Sequence, residues 1–214
     1  MSYSKGLFVT LEGGEGSGKT TLALKMKETL EKEGFEVVLT REPGGVKVAE
    51  DIRGVIMSGE MDATTQAFLF AAARREHLVK KVIPALERGA IVICDRFVHS
   101  SLVYQGVVGG LGVKKVFAIN EQAIDGKMPD LTLYMDIKPE DGLSRIQADA
   151  GREVNHFDQK PLSYHEKIRE GYQLIPTFYP EHPYVTIDAS QAPNTVYQDA
   201  MKVMADLIKK ELAS

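Results

Sequence analysis

Five short apolar runs, Leu7–Leu11, Phe35–Thr40, Ile91–Cys94, Leu131–Asp136 and Tyr184–Ile187, recur along the chain, each separated from the next by a stretch of helical character. Runs this short and this apolar read as buried strands, and strands alternating with helices predict a mostly parallel sheet covered on both faces. The first helix is the clearest: Leu22, Met26 and Leu30 fall four apart, and Gly34 supplies the stop. A long helical pattern runs from about Thr64 to Arg88. A last helix spans Thr195 to Leu212, with Val196, Ala200, Val203, Met204, Leu207 and Ile208 on one face. The fold predicted is α/β, a five-stranded parallel sheet flanked by helices with both chain ends docked. No internal repeat, low-complexity tract or long linker divides it, so residues 1–214 are expected to form a single domain. Two stretches read as irregular: the glycine-rich Gly106–Gly112 and the polar segment Ala148–His156.

Composition narrows the partners more than the fold. With 43% apolar and 26% charged residues the chain is ordinary globular material, and its formal net charge of −4 offers no global basic field for nucleic acid. A small phosphate ester needs only a local cluster of cations. The single cysteine, Cys94, excludes an intrachain disulfide and a Cys-based zinc site, and its apolar run suits a buried small hydrophobe. No apolar run approaches the roughly 18 residues of a membrane span, and nothing at the N-terminus resembles a signal peptide. A cytoplasmic protein that engages neither membrane nor nucleic acid is expected.

The segment that follows the first strand supplies the chemistry. Gly13-Gly14-Glu15-Gly16-Ser17-Gly18-Lys19-Thr20 fits the phosphate-loop pattern of Gly, four residues, Gly, Lys and Ser or Thr. Glycines let backbone N–H groups turn inward around phosphate oxygens, Lys19 reaches the β and γ phosphates, and the Thr20 hydroxyl can ligate Mg²⁺. The helix that begins here, through Thr21, adds its positive dipole end. A nucleoside triphosphate is therefore the expected ligand.

Ligands of open parallel sheets bind beyond the carboxyl ends of the strands. Two further ends carry polar clusters, Thr40-Arg41-Glu42-Pro43-Gly44-Gly45 and Asp95-Arg96-Phe97. An aspartate closing a buried strand in a phosphate-loop protein can hold Mg²⁺ directly or through water, and an adjacent arginine can clamp a phosphate. Within the long helical pattern lies Phe70-Ala71-Ala72-Ala73-Arg74-Arg75-Glu76-His77. Spacing of four puts Phe70 and Arg74 on one face, where an aromatic plane and a bidentate donor can both meet a flat base. Without that context Phe70 reads as core and Arg74 as solvated.

Phosphate loop, T-R-E-P-G-G at Thr40–Gly45, F-A-A-A-R-R-E-H at Phe70–His77, D-R-F-x-x-S-S-x-x-Y-Q-G from Asp95 to Gly106 and P-D-L-T-L-Y-M-D-I-x-P-E at Pro129–Glu140 occur in this order. In that order and spacing the chain resembles the bacterial thymidylate kinases over essentially its whole length. The resemblance implies the phosphate-loop nucleoside monophosphate kinase fold with a short lid at about residues 148–157. It implies ATP-dependent phosphorylation of dTMP to dTDP, with Mg²⁺ on the triphosphate, and a homodimer. By the same resemblance Lys19, Thr20 and the loop amides hold ATP, Asp95 supports Mg²⁺, and Arg53 and Arg96 clamp the dTMP phosphate. Glu42 helps to order the metal and water around that phosphate. Phe70 stacks on thymine, while Arg74, Ser101 and Gln105 bond its edge. Glu15 meets the 3′-hydroxyl, and Tyr104 crowds out a 2′-hydroxyl.

Phosphoryl transfer gains mostly from positioning and from cations on developing charge. The variable loop positions Gly14, Glu15, Gly16 and Ser17 include no arginine, so that cation must come from elsewhere. Arg152 stands where similar bacterial enzymes carry a lid arginine and is expected to be the principal lid catalyst, with Arg145 a lesser contributor. The chain departs from the family pattern at His156, where a second lid arginine is common, and at His99 and Val103. The Gly106–Gly112 loop lacks the arginine and aromatic common there.

Three other readings compete with this one. Phosphate-loop GTPases select guanine with an Asn-Lys-x-Asp segment that this chain lacks. Deoxynucleoside kinases need a general base, for which Glu42 is a candidate, whereas Arg53, Arg74 and Arg96 suit a second anionic substrate better. A non-catalytic nucleotide-binding module would keep Lys19 but has no use for Arg152 or Asp95.

Overall fold

The computed structural model describes residues 6–148 and 157–212, and the predicted lid residues Arg152 and His156 lie outside them. Its elements run β1 (Leu7–Glu12), α1 (Lys19–Lys32), β2 (Val37–Arg41), α2 (Lys47–Met57), α3 (Ala63–His77), α4 (Ile83–Glu87), β3 (Ile91–Asp95) and α5 (Val98–Ser101). After these come α6 (Val113–Ile124), β4 (Leu131–Asp136), α7 (Pro139–Ala148), α8 (Leu162–Phe178), β5 (Tyr184–Asp188) and α9 (Pro193–Leu212). The five strands form one parallel sheet in the order β2-β3-β1-β4-β5. Register aligns the strand ends: Leu11 and Arg41 both pair with Asp95, and Glu12 pairs with Tyr134. One edge of the sheet therefore gathers the polar residues that close three neighbouring strands.

Alternation along β1 divides the core in two. Leu7, Val9 and Leu11 face Leu22, Met26 and Leu30 of α1 and Ala200, Met204 and Ile208 of α9. Phe8 faces the other way, toward Leu78, Val82 and Phe97. Burying both faces of β1 explains why Leu7, Phe8, Val9 and Leu11 are all apolar, with no alternation of apolar and polar residues. A third cluster, with Leu102, Val103, Val116, Ile168 and Tyr172, packs α6 and α8 against the segment after α5.

Element boundaries depart from the sequence expectations in three instructive places. The second strand begins at Val37 rather than Phe35, because Gly34 turns left-handed at φ 92° and the Phe35 amide bonds the Leu30 carbonyl, ending α1. The pattern over 64–88 is one helical run in which α3 passes through a π-helical stretch, Leu78–Val82, into α4. A second π-helical stretch, Leu102–Val108, continues α5 through the first half of the expected Gly106–Gly112 loop. Gly106 is buried there, and a Cβ on it would lie 3.2 Å from Val113 Cα. Close approach to α6, rather than looseness, accounts for that glycine.

Candidate active site

The loop between β1 and α1 is built by its glycines. Gly13, Gly16 and Gly18 have φ values of 147°, 70° and 86°, which a side chain would strain. A Cβ on Gly16 would also lie 2.0 Å from the Gly142 carbonyl oxygen, so α7 touches the loop backbone directly. Lys19 Nζ reaches back across the loop to the carbonyls of Gly13 (3.1 Å) and Gly14 (2.9 Å) and to Ser17 Oγ (3.1 Å). Burial, followed by repulsion from Arg96, pushes its ammonium down to about 8, against attraction from Asp95, Glu15 and Glu12.

At the end of β3, Thr20 Oγ1 donates to Asp95 Oδ2 at 2.9 Å. This pair of hard oxygen donors fits Mg²⁺, which binds through one or two carboxylates plus phosphates and water rather than in an all-protein cage. The described residues contain no cluster of three metal-ligating acids, histidines or cysteines. The next residue, Arg96, has φ 70°, a left-handed conformation unusual for a side chain this large. That turn is held by the Arg96 amide on the Leu11 carbonyl (2.9 Å) and by the Cys94 thiol on the Arg96 carbonyl (3.1 Å).

From this turn the Arg96 guanidinium reaches one carboxylate, Glu15, directly and a second, Glu12, through Ser100 and Tyr172. Nη2 donates to Glu15 Oε1 (3.0 Å), and Nη1 donates to Ser100 Oγ (3.3 Å) and the Tyr172 hydroxyl (3.1 Å). Glu15 Oε1 also accepts from the Tyr104 hydroxyl at 2.7 Å. Burial disfavours the Glu15 charge, but Arg96, His165, Tyr104 and Lys19 together outweigh it and hold the carboxyl well below the ordinary range. Behind them Glu12, fully buried at the end of β1, accepts from the Phe97 amide (2.8 Å), Ser100 Oγ (2.6 Å) and the Tyr172 hydroxyl (3.0 Å). Burial raises its pKa, while Ser100, Arg96, Phe97 and Tyr172 pull it down less strongly.

A second buried network shapes the other end of the cleft. Arg74 is 2% exposed; its Nε donates to Glu42 Oε2 (2.7 Å), and Nη1 donates to Ser101 Oγ (3.2 Å) and to Asn120 Oδ1. Glu42 Oε1 meets His77 Nδ1 at 2.9 Å, and His77 Nε2 meets Thr40 Oγ1 at 2.7 Å. Glu42, expected to order metal and water, thus has both carboxylate oxygens occupied in fixing Arg74 and His77. Removing one member of a buried pair leaves the other uncompensated, at a cost of about 3–5 kcal/mol. Glu42→Ala is therefore expected to lower Tm by roughly 10 °C in a thermal unfolding scan, and a change under about 2 °C would show that the pair is not holding this end together.

One cavity of about 740 Å³ connects the two networks. Glu15, Gly16, Ser17, Gly18, Lys19, Thr20 and Thr21 line its loop side, and Asp95 and Arg96 its floor. Gly13 and Gly14 contribute through the carbonyls that hold Lys19. Glu42, Arg53, Phe70 and Arg74 line the far wall, followed by Ser101, Tyr104 and Gln105. Gln105 Nε2 donates to Gln66 Oε1 (2.8 Å), and its own Oε1 is buried with no hydrogen-bond partner among the described residues. Arg145, the lesser lid candidate, lines the cavity from α7.

Sequence reasoning missed several contributors. Glu12 directly follows an apolar run and precedes the loop pattern, Asn120 and Tyr172 sit on helices as unremarkable polar and aromatic residues, and the segment after β5, with Gln191, Pro193 and Tyr197, lines the cavity without any motif. His99, a departure from the family pattern, is wholly buried, and burial pushes it down to about 3 with His182 and Arg74 adding to the effect. Val103 lies in the third core cluster rather than at the cavity surface.

Parallel sheet, glycine-built loop and a two-ended cleft lined with arginines define a phosphate-loop nucleoside monophosphate kinase. The sequence profile of the thymidylate kinase family matches residues 11–200. A thymidylate kinase of Bacillus pumilus is 51% identical over 208 residues, covering 96% of this chain and 98% of its own; one of Bacillus velezensis is 52% identical with the same coverage. The crystal structure of thymidylate kinase from Ehrlichia chaffeensis superposes with a TM-score of 0.76 at 30% identity, over 94% of this chain and 99% of that one. The chain belongs to the thymidylate kinase family.

Proposed function

We propose that this chain transfers the γ-phosphoryl group of ATP to dTMP, giving ADP and dTDP. The observation that carries the reading is the single cavity that runs from Lys19 and Thr20 to Phe70 and Arg74 and is lined by Arg53, Arg74 and Arg96. Two anionic nucleotides meeting end to end require such a cleft, whereas a nucleoside substrate needs fewer cations. At the donor end, Lys19 and the loop amides take the triphosphate, and the segment from Gln191 to Tyr197 flanks its base. At the acceptor end, Arg53 and Arg96 take the monophosphate. Phe70 stacks on thymine while Arg74, Ser101 and Gln105 bond its edge. Gln105 Oε1, without a hydrogen-bond partner among the described residues, supports this assignment, because the thymine N3–H is a donor and a buried acceptor left unpaired is costly. Glu15 takes the 3′-hydroxyl, and Tyr104, bonded to it, occupies the space of a 2′-hydroxyl.

Catalysis in this reading is positioning plus charge: the cleft aligns acceptor oxygen and γ-phosphorus, while Lys19 and Arg152 place positive charge on the transferring group. Thr20 and Asp95 would hold Mg²⁺, whose positive charge would offset that of the phosphates. Asp95→Asn is expected to raise the Mg²⁺ concentration for half-maximal activity about 10–100-fold, measured by titrating Mg²⁺ at saturating ATP and dTMP; an unchanged requirement would remove Asp95 from the metal's support. We also read the protein as a single-domain, cytoplasmic homodimer with a lid near residues 148–157. The described residues include no helix able to cross a membrane, and Val55 on α2 and Phe68 on α3 expose apolar surface suited to self-association.

The substrate assignment is tested by coupled ADP release with ATP, Mg²⁺ and dTMP, dUMP, dCMP, dGMP, UMP, AMP or thymidine. dTMP is expected to give the highest kcat/KM. Preference for another monophosphate would overturn the base pocket, and activity on thymidine alone would make the chain a nucleoside kinase.

A further inference from the structure

His165 on α8 belongs to no motif and plays no part in the mechanism above, yet it is 4% exposed and points at the phosphate loop. Its Nδ1 lies 3.5 Å from Glu15 Oε2. The two Glu15 oxygens are unequal: Oε1 accepts from both Tyr104 and Arg96, whereas Oε2 is buried without a hydrogen bond among the described residues. His165 Nε2 is likewise buried and unbonded among the described residues. A small cavity of about 10 Å³ lies beside them, lined by Glu15, Tyr134, Leu143, His165 and Arg169. The residue is therefore enclosed and faces one carboxylate oxygen.

We propose that His165 is a positioning residue for Glu15, fixing the carboxylate from the Oε2 side so that it meets the 3′-hydroxyl of the monophosphate's sugar. This rests on the reading of Glu15 as the 3′-hydroxyl acceptor. Two donors on Oε1 fix that atom but leave the carboxylate free to pivot about it. A donor on Oε2 removes the pivot, and it comes from a helix that otherwise packs against the third core cluster. Orientation matters because a hydrogen bond weakens steeply when its angle departs from linear. An α8 residue thereby contributes to the choice of sugar without touching it.

The test compares dTMP with its 3′-deoxy analogue, which has no hydroxyl for Glu15 to meet. His165→Leu, which keeps the volume but no donor, is expected to lower kcat/KM for dTMP roughly tenfold, the loss of about one hydrogen bond to a charged group, and to leave the analogue within about twofold. His165→Asn, whose amide can stand near the Nδ1 position, is expected to restore most of the loss. Thermal unfolding of each variant reports the folded fraction. Equal losses for both substrates would reduce His165 to a packing residue and overturn the proposal, as would no loss for either. Glu15→Gln is the internal control: if it too fails to separate the two substrates, the 3′-hydroxyl reading of Glu15 falls. If Glu15→Gln separates them and His165→Leu does not, only the His165 inference falls.

Discussion

Arg96→Lys is expected to lower kcat/KM for dTMP at least about a hundredfold, while ATP affinity stays within about threefold. The guanidinium spans Glu15, Ser100 and Tyr172 from a backbone position at φ 70°. Its carbon also sits 5.1 Å from the Tyr104 ring centroid. A lysine ammonium can donate to one of these groups but cannot present a planar fork to several, and it is the more strongly hydrated cation. Two hydrogen bonds to charged groups, each worth about 1.5–3 kcal/mol, set the expected scale. The effect also spreads, because Glu15 would lose the guanidinium bond at Oε1, and an ammonium held elsewhere would support its charge less directly against burial. Steady-state kinetics with varied dTMP, alongside ATP titration, checks this; a loss under about fivefold would mean that Arg96 serves the turn and not the substrate.

Arg152→Ala is expected to lower kcat by about three orders of magnitude with little change in KM for either nucleotide. A cation supplied to the transferring phosphoryl group is worth about 10³–10⁵ in rate, and the loop from Gly13 to Thr20 contains no arginine to supply it. In the proposed mechanism Lys19 already holds the β and γ phosphates and cannot take over both tasks. Arg145 lines the cavity from α7, so Arg145→Ala is the natural comparison. If Arg145 rather than Arg152 carries the large loss of kcat, the principal cation comes from α7 instead of the lid. Retention of kcat within twofold in Arg152→Ala would end the lid assignment.

What could be read from the sequence was what is local in the sequence. Lys19, Ser17 and the loop glycines act within a span of eight residues, so their spacing alone declares the phosphate loop. The strands were legible because both faces of the sheet are covered, which makes β3 apolar from Ile91 to Cys94 and leaves Thr10 the sole polar position of β1 before Glu12. Glu12 was not legible in the same way: its partners Ser100 and Tyr172 lie 88 and 160 residues away, and nothing near Glu12 signals that it closes the strand buried. Asn120 likewise meets Arg74 across 46 residues of chain. Arg74 shows the limit from the other side. As an isolated helix residue it reads as solvated, whereas Glu42, Ser101 and Asn120 converge to bury it. The π-helical stretches were invisible because the side-chain pattern of a helix that widens for one turn does not differ from one that continues.

The central claim is transfer of the terminal phosphoryl group of ATP to the phosphate of dTMP. It is tested most directly by incubating the protein with Mg²⁺, dTMP and ATP labelled in the γ-phosphoryl group and separating the nucleotides. Label is expected in dTDP, formed one for one with ADP and absent when dTMP is omitted. Label recovered only as inorganic phosphate, or retained in ATP that is bound but not consumed, would contradict it.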